Sequence, residues 1–373
     1  MWKLFKIRSK NSFKIHFKYK KYLKINISGI TIGYTFLNDI KIKGEFMSEQ
    51  ENKVQKMTKK GLLGKVLLLI VAILWGSSLT VVKVAQETFR PNMILAIRFT
   101  VSALILSIIF WKKLREMTKD DMKSGLIIGV FLFLAYSVQT IGVGYTDPGR
   151  SAFLSASYCV IVPFLAWFAM KKRPDKFNII AAAFTIVGIY FVSMAGGDGG
   201  SVFDQGKEAI MGDGFALLSG LLFAAHIVAV TKLSKGKDPI LMTILQFAMA
   251  AVLSIIVTLV FEDNSAIVLT KKAVLEVGYL AVMCTTVALL LQNIGQKYAT
   301  ASSAALILAT ESIFGILIPV FMGIESLTRN KIIGFILIFI AILISETKLS
   351  FLGFGKDDDK GDEKLEEKEK ANS

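Results

Sequence analysis

Chemistry-bearing residues are scarce in this chain. Among 373 residues there are two cysteines, Cys159 and Cys284, and two histidines, His16 and His226. Both cysteines lie inside apolar runs, so there is no disulfide framework and no metal-ligand spacing. No GxxxxGK[ST], GxSxG or HExxH pattern occurs. Their absence argues against an ATP-driven pump built from this chain alone and against an enzyme. No cofactor and no metal are expected.

What is abundant is apolar residues, 53% of the chain. That excludes an ordinary soluble domain and indicates an all-α polytopic membrane protein. The net charge of +15 sits mostly outside the apolar runs. Flanking charge at a cytoplasmic membrane face explains it better than nucleic-acid binding. The segment 1–64 is basic and polar. Its first part, 1–46, scatters Lys3, Lys6, Arg8 and further lysines among aromatics, with no run long enough for a signal peptide or a span. It reads either as a basic arm on anionic lipid or as an extension ahead of a true start at Met47, and the second reading is preferred.

Ten apolar runs of spanning length follow, near 65–85, 92–111, 124–145, 149–170, 177–195, 212–232, 239–261, 273–295, 301–322 and 331–347. The Gly-rich segment 196–211 falls between the fifth and sixth. It divides a first repeat, 65–195, from a second, 212–347. The remainder, 348–373, is charged and reads as disordered. With the N-terminus in the cytoplasm, Lys112, Lys113, Arg115, Lys119, Lys123, Lys171, Lys172, Arg173 and Lys176 all lie inside. Only Arg90 and Arg150 of the first repeat are left outside. Five helices per repeat reverse the second copy, which predicts ten transmembrane helices as a 5+5 inverted repeat. Both termini are then cytoplasmic, in a multi-pass protein of the cell membrane.

The stretch Gln292–Glu325 carries the most information. From Ser302 to Met322 it is apolar and small, about 31 Å as a helix, which matches a bilayer core. Near its middle sits Glu311. A charge at that depth is disfavoured by about 2.5–3.5 kcal/mol on insertion scales. At 100° per residue Glu311 shares a stripe with Ala304, Leu308, Ser312, Gly315 and Pro319, opposite Ile313, Leu317 and Phe321. It therefore faces other helices or a cavity. The segment Gln139–Lys172 aligns with this stretch without gaps. Gln139, Ile141, Gly142, Tyr145 and Ala152 match Gln292, Ile294, Gly295, Tyr298 and Ala305, and Tyr158 stands where Glu311 does. Weak internal similarity of this kind is common in transporters. Tyr158, Ser155, Ser151 and Cys159 form the matching polar stripe, and the two stripes are placed to face one midplane cavity.

Other candidates have two readings each. Trp75, in Trp75-Gly76-Ser77-Ser78, either packs beside a close-approach glycine or lines the cavity together with Ser78. Lys83 snorkels to the headgroups or acts further in. Arg98 snorkels or pairs with a buried acid, of which Glu311 is the obvious one. His226 hydrogen-bonds across helices, binds substrate or relays a proton. Gln139, Gln246, Gln292 and Asn293 tie helices together or touch substrate.

LWGSSLTVVK in the first helix, RPNMILAIRF leading into the second, the two aligned stretches and Gly334 opening the tenth resemble the drug/metabolite transporter superfamily, in its EamA-type members. The resemblance covers roughly residues 65–347. The spacing of Glu311 and Glu325 is similar to the family's second-repeat pattern. Ser312 stands where a proline is common there, and Lys172 where the first repeat commonly has a glutamate. The resemblance implies a ten-helix inverted-repeat carrier with a central cavity, exporting a small metabolite, amino acid or drug by alternating access. Glu311 would then bind a substrate cation or a coupling proton.

The alternatives are a uniporter or exchanger of nucleotide-sugar or sugar-phosphate type, and a non-transporting lipid-binding or scaffold protein. The partners expected are a small-molecule substrate and the bilayer, with a homodimer left open and nucleic acid excluded. Topology is directly testable. Reporter fusions within 112–123 and 171–176 are expected to read cytoplasmic, and a fusion within 196–211 external. An external signal from 171–176 refutes the inverted arrangement.

Overall fold

The computed structural model describes residues 61–171, 173–193, 206–265, 267–298, 307–308 and 310–348, together with three short strands before residue 26. The chain forms two units, Met1–Gly61 and Leu62–Ser373. In the first, strands β1 (Lys6–Ser9), β2 (Ser12–His16) and β3 (Tyr22–Ile25) pair antiparallel in that order. The all-α expectation does not extend to them. SFKIH alternates polar and apolar residues with period two, a strand signal that the basic composition masked.

The second unit is helical throughout its described residues. Its main helices are α1 (Gly61–Ala85), α2 (Pro91–Ile109), α3 (Lys119–Tyr145), α4 (Pro148–Met170), α5 (Lys176–Ser193), α6 (Gly206–Leu233) and α7 (Pro239–Phe261). After these come α8, built of Lys271–Ala281, a π turn at Val282–Val287 and Ala288–Tyr298, then α9 (Glu311–Phe321) and α10 (Arg329–Thr347). Among the described residues seven helices are long and apolar enough to cross a membrane, so this is a multi-pass membrane protein. The starts follow local chemistry. Proline opens α2, α4 and α7, where a missing N–H does no harm. Thr118 and Asp121 close a capping box on α3, and Asp238, Thr270 and Thr328 cap α7, α8 and α10. Of the expected Gly-rich connector 196–211, residues 196–205 lie outside the described residues, and α6 begins already at Gly206. The expected tail from 349 onward also lies outside them.

Two helices differ from the single rods expected. α4 is interrupted after Ser155, where Ser157 and Cys159 donate their amides three residues back, to Leu154 and Ala156. A new helical segment then starts at Tyr158. α9 starts at Glu311, after a turn in which Thr310 N donates to Ile307 O. Tyr158 and Glu311, aligned in sequence, thus both open a helical segment at membrane depth. Of the expected run 301–322, residues 301–306 and 309 fall outside the described residues, 307–308 are helical, and a continuous helix is described from Glu311 to Phe321.

Small residues set the helix contacts, as in other membrane bundles. α1 meets α9 where a Cβ on Gly76 would lie 2.7 Å from Glu311 O and 2.9 Å from Gly315 N. α5 meets α10 where a Cβ on Gly334 would lie 2.7 Å from both Gly188 O and Val192 N. Backbone cannot yield locally there, so overpacking of about 1–3 kcal/mol is expected. Gly278 in α8 has nothing within 4 Å of its Cβ position. Gly334→Ala is expected to lower the melting temperature of detergent-purified protein, whereas Gly278→Ala leaves it unchanged or raises it. Equal behaviour of the two variants would contradict this packing.

Candidate functional site

A cavity of about 240 Å³ opens between α1, α2, α3, α4, α6 and α9. Sites for drug-sized ligands run to about 300–1,000 Å³, so this one suits a smaller solute. Eight of the residues singled out in the sequence line it: Trp75, Ser78, Arg98, Gln139, Ser155, Tyr158, His226 and Glu311. Gly76, Leu79, Leu132, Tyr136, Phe223, Ile227 and Ser312 complete much of the wall.

Each polar group is held by a neighbour. Glu311 Oε1 accepts from the Tyr158 hydroxyl at 3.3 Å, so the aligned residues of the two stripes meet. Gln139 Nε2 donates to Ser155 Oγ at 3.0 Å, linking α3 to α4. His226 Nε2 bonds Gln246 Oε1 at 2.8 Å, joining α6 to α7. With the amide oxygen there, the imidazole is assigned as donor. Trp75 Nε1 donates to Cys284 O at 3.1 Å, a carbonyl in the π turn of α8.

Arg98 neither snorkels nor pairs with Glu311. It is 3% exposed. Its Nε donates to Thr285 Oγ1 and its Nη1 to Ser78 Oγ at 3.4 Å, with the guanidinium carbon 5.0 Å from the centre of the Tyr136 ring. Lys83 does not reach for headgroups either. Its ammonium donates to Gly144 O at 2.7 Å and Thr146 O at 3.2 Å, tying α1 to the end of α3. Among the other sequence candidates, Ser151 is buried and its hydroxyl has no partner. Gln292 and Asn293 are not among the cavity-lining residues.

Beyond one end of the cavity lies a buried ionic network. Thr146 is about 10 Å along α3 from Gln139. Lys331 bonds Asp147 at 2.6 Å and Glu325 at 3.2 Å. Glu325 also accepts from Gly149 N at 2.8 Å. Arg150 pairs with Asp213, which accepts from the Thr146 hydroxyl at 2.8 Å. Burial pushes the Glu325 carboxyl above its ordinary range, while the Lys331 charge pulls it back. Pairs at the opposite helix ends are more exposed. Lys113–Asp238 is open to solvent on both sides, and Lys237 meets an exposed Asp120.

The family model described as the EamA-like transporter family matches residues 62–194 and again 210–347. This chain belongs to the EamA-like transporter family. Among its relatives is an uncharacterized transporter of Archaeoglobus fulgidus, 31% identical over 74% of this chain and 83% of that protein. Another is the uncharacterized transporter YcxC of Bacillus subtilis, 26% identical over 60% of this chain and 75% of that one. A solved crystal structure, 17% identical, superposes with a TM-score of 0.54 over 78% of this chain and 98% of its own, a likeness of fold. The first two are called transporters, and the general role of membrane transporter extends to this chain.

Sequence reasoning missed Tyr136 and Thr285 beside Arg98, and it missed the ionic network. Tyr136 lies one turn from Gln139 on α3, a signal that was available. Asp147, Asp213 and Glu325 were legible as acids at helix ends, but not as one cluster.

The network yields a stability test. Removing one partner of a buried pair costs about 3–5 kcal/mol, because the other charge stays behind. Lys331→Met is expected to destabilise the folded protein strongly, and adding Glu325→Gln to recover part of the loss. Melting of purified protein in lipid nanodiscs measures both. A neutral Lys331→Met would show that the network is not closed in solution.

Proposed function

We propose that this protein is a secondary transporter that exports a small metabolite, amino acid or drug across the cell membrane by alternating access, with Glu311 as its central binding or coupling group. The carrying observation is the convergence of polar side chains from both family-matched segments on one midplane cavity. Tyr158 from the first segment and Glu311 from the second share a hydrogen bond there.

The ten-helix, 5+5 inverted-repeat reading draws support from the pairing of helices. α3 packs on α6 and α7, and α2 on α7 and α8. α4 packs on α6, as α1 packs on α9. Each contact has a counterpart when the helix number is shifted by five. Such a bundle can rock one half against the other about a fixed site. The ion pairs Lys331–Asp147, at a half-exposed acid, and Arg150–Asp213, buried on both sides, join the first matched segment to the second. In the orientation read from the loop charges, with both termini cytoplasmic, they hold the external end closed.

A nucleotide-sugar or sugar-phosphate exchanger fits less well. Among the described residues Arg98 is the one guanidinium or ammonium lining the cavity, and a phosphate dianion calls for more. A scaffold has no use for an enclosed polar site.

The test is metabolite profiling of the medium of cells that overproduce the protein. Wild type is expected to raise at least one small solute several-fold over an empty-vector control. Glu311→Gln, matched for membrane abundance, is expected to lose about tenfold or more of that efflux. Full efflux by a stable Glu311→Gln protein would reject the role of Glu311. No solute change in wild type would reject export.

A further inference from the structure

Arg98 and Glu311 line the same cavity, yet neither has a protein counter-charge among the described residues. Buried charges normally occur in pairs, because each loses its hydration. We infer that Arg98 is the receptor for a carboxylate of the transported solute. With Glu311 it selects a small zwitterion that carries a carboxylate and a basic nitrogen. This rests on reading the cavity as a transport site.

The guanidinium is built for this task by its neighbours. An arginine has five N–H donors. Nε is used on Thr285 and one Nη1 proton on Ser78, which leaves three without an acceptor among the described residues. Tyr136 supports the flat face. The edge left free is the planar fork that matches a carboxylate.

Thr285 is a positioning residue, and the π turn is why. Its hydroxyl proton is committed to Leu280 O, five residues back, at 2.8 Å. The oxygen can therefore only accept from Arg98 Nε. Ser102, one turn along α2 from Arg98, donates to Ala281 O of the same region at 2.9 Å. α2 is thus fixed to the π turn at two points, and Arg98 cannot swing away toward the membrane surface.

Both charges line one cavity of about 240 Å³, which has room for one small molecule. A lipophilic monocation would satisfy Glu311 and leave Arg98 unpaired. A simple organic acid would do the reverse.

The test uses full-length protein in nanodiscs and a probe panel of amino acids with small, aliphatic, aromatic and polar side chains. Each is paired with its carboxamide and its N-acetyl derivative. At least one free amino acid is expected to raise the melting temperature, with its carboxamide and N-acetyl forms at least tenfold weaker in apparent affinity. In Arg98→Gln the preference for acid over carboxamide is expected to collapse to about one, while the preference for free amine over N-acetyl persists. Thr285→Val is expected to shrink the first preference and Thr285→Ser to restore it. Arg98→Lys, which keeps the charge, checks that losses are not misfolding.

The inference is overturned if carboxamides bind as well as acids, if Arg98→Gln keeps the acid preference, or if no free amino acid binds. Glu311-dependent efflux combined with any of these results would sink the zwitterion and leave the transporter reading standing. No solute efflux by wild type, with both the acid and the free-amine preferences intact, would do the opposite.

Discussion

Everything in the cavity follows from one constraint. A charged side chain at membrane depth has no water to solvate it, so the protein must supply dipoles or a counter-ion. For Arg98 the supply is two hydroxyls and an aromatic face. For Glu311 it is one phenol. Neither set equals a counter-charge, and the two side chains do not neutralise one another. A protein selected only for stability would have let them pair or replaced both with apolar residues. Keeping them apart across a small cavity is a stability loss that makes sense only if something enters between them.

Backbone irregularity is the second device. A straight helix satisfies its own amides and carbonyls and offers none to a site. α4 restarts at Tyr158, α9 starts at Glu311, and α8 carries a π turn at Val282–Val287. In the π turn, Thr285 and Thr286 bond carbonyls five residues back, Cys284 O is free to accept from Trp75, and Ala281 O takes Ser102. One local widening of α8 thus anchors both α1 and α2. Irregular backbone at this depth is tolerated where it lines a cavity or is buried in protein, and it is common at functional sites.

The helices were legible because each is an apolar run bounded by charge, proline or a cap. The pairing of Tyr158 with Glu311 was legible because the two stretches align without a gap. That an acid at mid-membrane must face inward needed only an energy argument. Three things were hidden. The π turn has no period of its own in VMCTTV, so Thr285 read as one more apolar-run residue. The breaks before Tyr158 and Glu311 carry no proline or glycine signal at the break itself. The ionic network depends on which helix ends meet, and Asp147, Asp213, Glu325 and Lys331 are far apart in the chain. Lys83 and Arg98 were misread in the same way, since snorkelling is the default only when no carbonyl or hydroxyl partner is within reach.

The division of labour among helices bears on how the site can move. α5 and α10 contribute nothing to the cavity wall. They pack on one another through Gly188 and Gly334 at near-backbone contact, with Val192, Ile338 and Ile342 buried alongside. Among the described residues that interface carries one long hydrogen bond, Ser345 Oγ to Asn178 Oδ1 at 3.5 Å, and no ion pair until Lys348 meets Asp175 at its end. A largely apolar, glycine-lined seam tolerates small changes of angle, because few directional bonds have to adjust. The pairs Lys331–Asp147 and Arg150–Asp213 are the reverse, since each is directional, with Lys331, Arg150 and Asp213 buried and Asp147 half-exposed. A bundle that must rock needs both kinds of contact. If the halves rock as proposed, the seam would keep them joined while they turn, and the ion pairs would make the closed end a distinct state rather than one point in a continuum.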